Sequence, residues 1–177
     1  MLHPTSLDRA IAPEDFRSAM RNQVSTVSIV ACGDVGSRTG LTATAACALS
    51  DKPAMVSICI NRSSSAHRAI LDVGCFSLNF LSAGQIRLAD TFSGRTGLTG
   101  EARFGEGTWN NLSTGAPILD GALASFDCAL ESRHEFPSHS IFAGVVKATR
   151  VQPEGSALLY AHGRYFTLDC TNHPQAA

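Results

Sequence analysis

The chain has 177 residues, a length that closes one hydrophobic core rather than two. Its 14 Lys and Arg balance 15 Asp and Glu, so the formal net charge is −1 and no long-range positive field exists to gather nucleic acid or an anionic membrane. Charged residues make up 16% of the chain, against about 25% in a typical soluble domain, while hydrophobic residues reach 44%, which directs some apolar surface toward a subunit interface.

The opening residues, MLHPTSLDRAIAPEDF, carry Asp and Glu and no apolar run suited to a signal peptide, and no later stretch approaches ~18 consecutive apolar residues. A cytoplasmic, non-membrane protein is expected. Six cysteines (Cys32, Cys47, Cys59, Cys75, Cys128, Cys170) form no C-x-x-C pair. In a reducing compartment they read as small buried hydrophobes, not as disulfides or metal ligands.

Pro13-Glu14-Asp15-Phe16-Arg17-Ser18-Ala19-Met20 predicts a short helix, with Pro and two acids at its start and Phe16 and Met20 on one face. From Val24 the β-branched run VSTVSIVAC predicts a strand, Gly33-Asp34-Val35-Gly36 a turn, and the following residues a second strand through Leu49. Asp51-Lys52-Pro53 then turns the chain into the alternating run AMVSICI. Two strand-to-helix junctions follow. In ICINRSSSAHRAILDVG the serines can cap a helix that Gly74 closes, and in CFSLNFLSAGQIRLADTF the pair Ser82 and Gln85 forms a capping box, with Leu81 and Ile86 as its hydrophobic staple. Residues 93–117, rich in Gly, Thr and Asn, read as a surface excursion pinned by Trp109; Gly94, Gly97 and Gly100 are loop glycines there. A half-buried strand follows Ala122, with Ala124, Phe126, Cys128 and Leu130 on one face and Ser125, Asp127, Glu131 and Arg133 on the other. IFAGVVKATRV, a turn at Pro153-Glu154-Gly155, ALLYA and RYFTL complete the chain. About seven or eight extended segments without βαβ alternation predict a mainly β fold, a closed antiparallel barrel with a few peripheral helices. One domain spans residues 1–177, with its core at about 14–168.

Hydrolase, zinc-protease, P-loop and Rossmann signatures are absent. Asn61-Arg62-Ser63-Ser64-Ser65 instead places a guanidinium, three hydroxyls and free helix N-terminal N–H groups at the end of a strand, which is either an anion cradle or a serine cap beside a solvated arginine. The small residues Thr42-Ala43-Thr44-Ala45-Ala46 offer backbone amides to a flat ring, or simply pack a tight strand. His3 and His173 near the termini and His162 beside a turn read as surface residues, and His134 and His139 have no metal-ligand spacing. His139, between two serines and ahead of a strong strand, faces a pocket mouth or closes a turn.

Taken in order, these fragments resemble the flavin reductase-like family, whose fold is the FMN-binding split β-barrel. The pieces are Gly40-x-Thr42-Ala43, Leu49-Ser50, Ile60-Asn61-Arg62-x-Ser64-x-x-His67, Asn79-x-Leu81-Ser82-x-x-Gln85-x-x-Leu88-Ala89-x-x-Phe92, Arg103-Phe104, Ala122-Leu123-Ala124-Ser125-Phe126-x-Cys128, His139-Ser140-Ile141-Phe142-x-Gly144-x-Val146 and Arg164-Tyr165-Phe166. The resemblance implies a homodimer with flavin, FMN or FAD, at the interface and NADH or NADPH as hydride donor. It assigns Thr42, Ala43, Thr44 and Ser50 to the isoalloxazine edge, Asn61, Arg62, Ser63, Ser64 and Ser65 to the ribityl phosphate, and His67, in the same motif, to cofactor binding. Leu81, Ser82, Gln85 and Phe92 line ring and tail, His139 meets the nicotinamide as the catalytic-site histidine, and Arg164 and Tyr165 border the site. No metal is implied. Where the family often has Gly-Asp before that histidine, this chain has Pro137-Ser138, which leaves NADH versus NADPH open. The reaction expected is hydride transfer from nicotinamide to flavin, as the reductase component of a two-component monooxygenase. The alternatives are a flavin-dependent corrin reductase acting on the cobalt of a cobalamin precursor, cob(II)yrinic acid a,c-diamide, a non-catalytic flavin-binding or storage protein on the same barrel, and a structural protein with no ligand.

Overall fold

A computed structural model describes residues 10–152 and 154–169, so His3, Pro153, Cys170 and His173 lie outside the described residues. The elements in chain order are α1 (Pro13–Met20), β1 (Ser25–Thr26), β2 (Ser28–Cys32), β3 (Thr39–Ala43), β4 (Ala46–Asp51), β5 (Ala54–Asn61), α2 (Ser65–Val73), β6 (Cys75–Phe80), α3 (Ile86–Phe92), β7 (Trp109–Asn110), β8 (Ile118–Leu119), β9 (Ala124–Glu135), β10 (His139–Val151), β11 (Ser156–Ala161) and β12 (Arg164–Asp169). The fold is mainly β. All described pairings are antiparallel: a seven-stranded sheet in the order β3-β2-β6-β9-β10-β5-β4, a three-stranded sheet β1-β11-β12 and the short β7-β8 hairpin.

Strand β2 is buried along its whole length because it divides the core. Val27, Ile29 and Ala31 turn to one cluster with Leu81, Phe92 and Leu158, and Val30 and Cys32 turn to the other with Ile58, Phe76 and Phe142. Val27 itself joins the two larger sheets, donating its N–H to the Leu158 carbonyl and accepting from the Leu81 N–H, each at 2.9 Å. The predicted helix ends hold. Gly74 closes α2 in the left-handed conformation (φ 71°), and Gln85 Oε1 accepts from the Ser82 N–H at 3.0 Å. Ile86, the proposed staple partner of Leu81, is 40% exposed, and Leu88, Ala89 and Phe92 carry the buried face of α3 instead.

The expected closed barrel is not formed. The edge strands are β3 and β4, separated in sequence only by Thr44 and Ala45, so the sheet coils until its edges nearly meet. The Ala45 carbonyl accepts from the Cys59 N–H at 2.9 Å, which carries β4 onto β5 and away from β3. The predicted single strand through Leu49 is therefore two strands with a bend.

Strand β9 differs from its expected half-buried pattern. Ser125 and Asp127 are buried at 1% and 0% exposure, because the preceding loop folds over them. Thr114 donates its N–H to the Asp127 carboxylate at 2.7 Å, and its hydroxyl bonds the other oxygen. The surface excursion at 93–117 is likewise partly internal: Phe104 is buried, and Trp109 packs on Phe92 and Phe104 as its role of pin requires. Two register shifts bend β10 against β9 near Gly144, where a Cβ would lie 2.6 Å from the Phe76 ring. Cys32 and Cys128 are buried, and burial pushes both thiols up to about 12, but Cys59 and Cys75 are half-buried and Cys47 is exposed, against the expectation for all.

Candidate functional site

The gap between the sheet edges opens into a cleft. Beyond Cys59, strand β5 loses β4 as a neighbour while β10 stays on its other side. An open cleft of about 870 Å³ lies there, within the ~300–1,000 Å³ usual for small-molecule sites. Leu41, Thr42, Ala43 and the Thr44-Ala45 bend form one wall, and Cys59, Asn61, His139 and Ile141 the other. Register explains the second wall: His139 pairs with Asn61 and Ile141 with Cys59, and paired residues share a face. β3 is an edge strand, so its outward backbone groups face the cleft without a neighbouring strand among the described residues. Phe16, Met20 and Phe136 stand at the mouth, 56%, 46% and 47% exposed.

Several side chains in and beside the cleft are already oriented; Asn61 lines it, whereas Arg62, Ser63, Ser64 and Ser65 follow in the loop into α2 and are not among its lining residues. Thr42 donates its hydroxyl to the Ala89 carbonyl at 2.7 Å, which ties β3 to α3 and leaves its backbone to the cleft. His139 Nδ1 lies 2.8 Å from Ser138 Oγ, fixing the ring with Nε2 unpartnered among the described residues. Asn61 Oδ1 accepts from the Ser63 N–H at 2.9 Å and the Ser63 hydroxyl at 2.8 Å, shaping the loop into α2. Ser64 caps that nine-residue helix by accepting from the Ala66 N–H at 3.3 Å, so its own O–H remains free to donate. Ser65 Oγ pairs with Thr39 Oγ1 at 2.8 Å. Arg62 is half-exposed and its N–H bonds the Ser138 carbonyl at 3.0 Å.

Ser65 borders a different cleft, of about 590 Å³. Its cations are engaged: Arg38 grips Glu101 with two guanidinium nitrogens, Arg68 pairs with Asp72, and Arg103 donates to the Gly40 carbonyl at 2.8 Å and the Leu98 carbonyl at 2.9 Å. The Arg38 guanidinium holds the Glu101 carboxyl below the usual carboxylate range.

His67 does not face the open cleft. It is 8% exposed, lies 2.9 Å from Ser140 Oγ through Nε2 and packs edge-on against Phe142 at 5.0 Å. Burial, then Arg133 and Arg62, hold its pKa below the ordinary value, with Glu135 opposing. The remaining sequence-derived residues are not brought to the cleft of one protomer. Leu81 and Phe92 are core residues at 0% and 1% exposure. Gln85 uses both ends of its amide, accepting from Ser82 and donating to the Asp120 carbonyl at 3.1 Å. Ser50 sits at the far end of β4, where its hydroxyl accepts from the Lys52 N–H at 3.2 Å. Tyr165 donates to Asp90 at 3.1 Å and packs on Tyr160, its phenol pushed up to about 12 by burial and the Asp90 carboxylate, and Arg164 is exposed on the same strand. Sequence reasoning missed Phe16, Met20 and Phe136 as mouth residues. The one available signal was the i, i+4 spacing of Phe16 and Met20 on a helix that buries no residue.

Among the described residues no group of three or more His, Cys, Asp or Glu side chains is placed to hold a metal ion, and no helix is long and apolar enough to cross a membrane. Residues 20–169 match the family model described as the flavin reductase like domain. The chain is 40% identical over 167 residues to FMN reductase (NADH) RutF 1 of Methylorubrum extorquens, covering 93% of this chain and 82% of that protein. Among solved structures it resembles BorF, the flavin reductase component of a bacterial two-component tryptophan halogenase, with TM-score 0.82, 28% identity, and 89% and 99% of the two chains covered. The NADH:FAD oxidoreductase SgcE6 of Streptomyces globisporus superposes with TM-score 0.79 at 26% identity, over 89% and 96% of the chains.

Proposed function

This chain belongs to the flavin reductase-like family, and we propose that it transfers a hydride from NADH to a flavin held in the 870 Å³ cleft. The observation that carries the reading is the meeting of Thr42-Ala43-Thr44, Asn61 and His139, from three separate strands, around one cavity beside β3, an edge strand with no strand on its outer side among the described residues. A bound flavin supplies the hydride-accepting ring, and the protein's contribution is binding and orientation.

Each wall has its own task. The backbone of Thr42, Ala43 and Thr44 borders the ring edge, where N–H donors favour negative charge, as an oxyanion hole does. Asn61, Arg62, Ser63, Ser64 and Ser65 surround the ribityl phosphate, with the Ser64 O–H and the Arg62 guanidinium as the donors most available to it. His139, fixed through Nδ1, orients the nicotinamide. The exposed apolar residues Phe16, Met20 and Phe136 support a homodimer in which the second copy covers the mouth. The whole chain acts as one domain in the cytoplasm, passing reduced flavin to a partner monooxygenase; BorF, a flavin reductase component of a two-component halogenase, supports a two-component arrangement.

Anaerobic addition of NADH to the protein with FMN tests this. Bleaching of the long-wavelength flavin band is expected. Bound flavin that stays oxidised at every NADH concentration would overturn the assignment.

A further inference from the structure

Arg62, the one cation of the phosphate loop, has a competitor inside the chain. Its Nη2 lies 3.7 Å from Glu135 Oε2, the longest ion pair among the described residues, while the other oxygen of Glu135 lies 2.8 Å from Arg133 Nη2. Both Arg62 and Glu135 are half-exposed, at 46% and 44%. The backbone holds the two loops together: the Arg62 N–H is bonded to the Ser138 carbonyl in the β9–β10 turn at 3.0 Å, which keeps the root of its side chain at that turn and next to the entrance to α2. Glu135 pairs with Ser140 across the hairpin, so it shares the face on which Ser140 meets His67 of α2.

We propose that Glu135 is a specificity-determining residue that competes with a flavin's terminal phosphate for Arg62 and so keeps a phosphorylated flavin exchangeable. The proposal rests on the assignment of the cleft to flavin. Two features carry it. First, Arg62 is loosely paired, whereas Arg38 and Arg103 nearby are fixed by a bidentate carboxylate and by carbonyl oxygens. Second, the anion that must yield does not become unpaired, because Glu135 keeps Arg133 when phosphate takes Arg62. Exchange is therefore easy in both directions, and the carboxylate left beside the phosphate limits its affinity. A co-substrate that must leave after reduction requires that balance, whereas a permanently bound group does not.

The test is Glu135→Gln in the full-length protein, with FMN and riboflavin as probes and Glu131→Gln as an equal charge change farther along the same strand. An exposed ion pair contributes enough to predict that FMN binds about two- to fivefold more tightly in Glu135→Gln and leaves correspondingly more slowly. Riboflavin, which lacks the phosphate, should be unaffected, Glu131→Gln should match the wild type, and the gain should vanish in an Arg62→Ala background. Equal shifts for both flavins, no shift, or a gain that survives Arg62→Ala overturns the proposal. A wild-type protein that binds neither flavin overturns the underlying site assignment instead, so the two failures are distinguishable.

Discussion

At Ser82–Gln85 and at Asn61–Ser65 the chain leaves a strand and starts a helical segment through a polar loop, and the two loops look alike in sequence. In structure they differ in where their polar atoms point. Gln85 spends both ends of its amide inside the chain, on Ser82 and Asp120, and the loop is flanked by the fully buried Leu81. In the second loop Ser64 caps with its lone pair and keeps its O–H, and Arg62 holds its counter-ion beyond hydrogen-bond length. A polar side chain satisfied within the chain, as the Gln85 amide is, belongs to the fold. One that keeps donors unsatisfied at a cavity has them available for a ligand.

That comparison predicts opposite phenotypes for substitutions in the two regions. Leu81→Ala removes a side chain with no solvent exposure and should cost about 2–5 kcal/mol of stability, read by denaturant unfolding, with FMN affinity of the folded fraction unchanged. Substitutions at the cleft should do the reverse. His139→Ala frees the nicotinamide to shift by ~1 Å and should slow anaerobic flavin reduction by about 10²-fold at unchanged FMN affinity and melting temperature. A reduction rate equal to wild type at all NADH concentrations removes His139 from the site. Arg62→Ala with Ser64→Ala should weaken FMN binding roughly 10- to 150-fold, from a loss of about 1.5–3 kcal/mol in charge-assisted hydrogen bonding. The accompanying loss of stability should stay near 1 kcal/mol, the worth of the cap alone. Unaltered FMN affinity would reduce the loop to a helix cap and erase the contrast.

Much of this was legible in the sequence because it depends on neighbours in the chain. The α1 start, the Ser64 cap, the Gly74 stop and the Ser82–Gln85 box are all set within a few residues, and the alternation in β5 follows from local period. What was not legible depends on partners far apart. The barrel was expected to close, but closure turns on whether the Ala45 carbonyl bonds β5 or β3, and periodicity carries no information on that. Leu81 and Phe92 read equally well as lining or as core, since an apolar side chain looks the same in either place, and the structure puts both in the core. Asp127 alternates like a surface residue until Thr114 folds over it. Glu135 drew no notice because nothing near it in sequence shows that Arg62 lies across the hairpin.

His67 gives the smallest effect and the finest test of the contrast, since the motif resemblance assigns it to cofactor binding while the structure turns it toward Ser140 and Phe142. Burial and the charges of Arg133 and Arg62 depress its pKa below the ordinary 6.5. The folded protein therefore favours neutral imidazole, and as pH falls below 6.5 the unfolded chain takes up this proton first. The contribution of His67 to stability is complete above pH 6.5 and is lost as pH falls through the depressed value in the folded protein. Glutamine can keep a hydrogen bond to Ser140 without ionising. Melting temperatures of wild type and His67→Gln should thus be similar at pH 8, and the wild type should fall further than the variant as pH drops from 6.5 to 5. FMN affinity at pH 8 should be the same in both proteins if His67 serves the fold. Parallel acid profiles together with a collapse of FMN binding at pH 8 would return His67 to the flavin site.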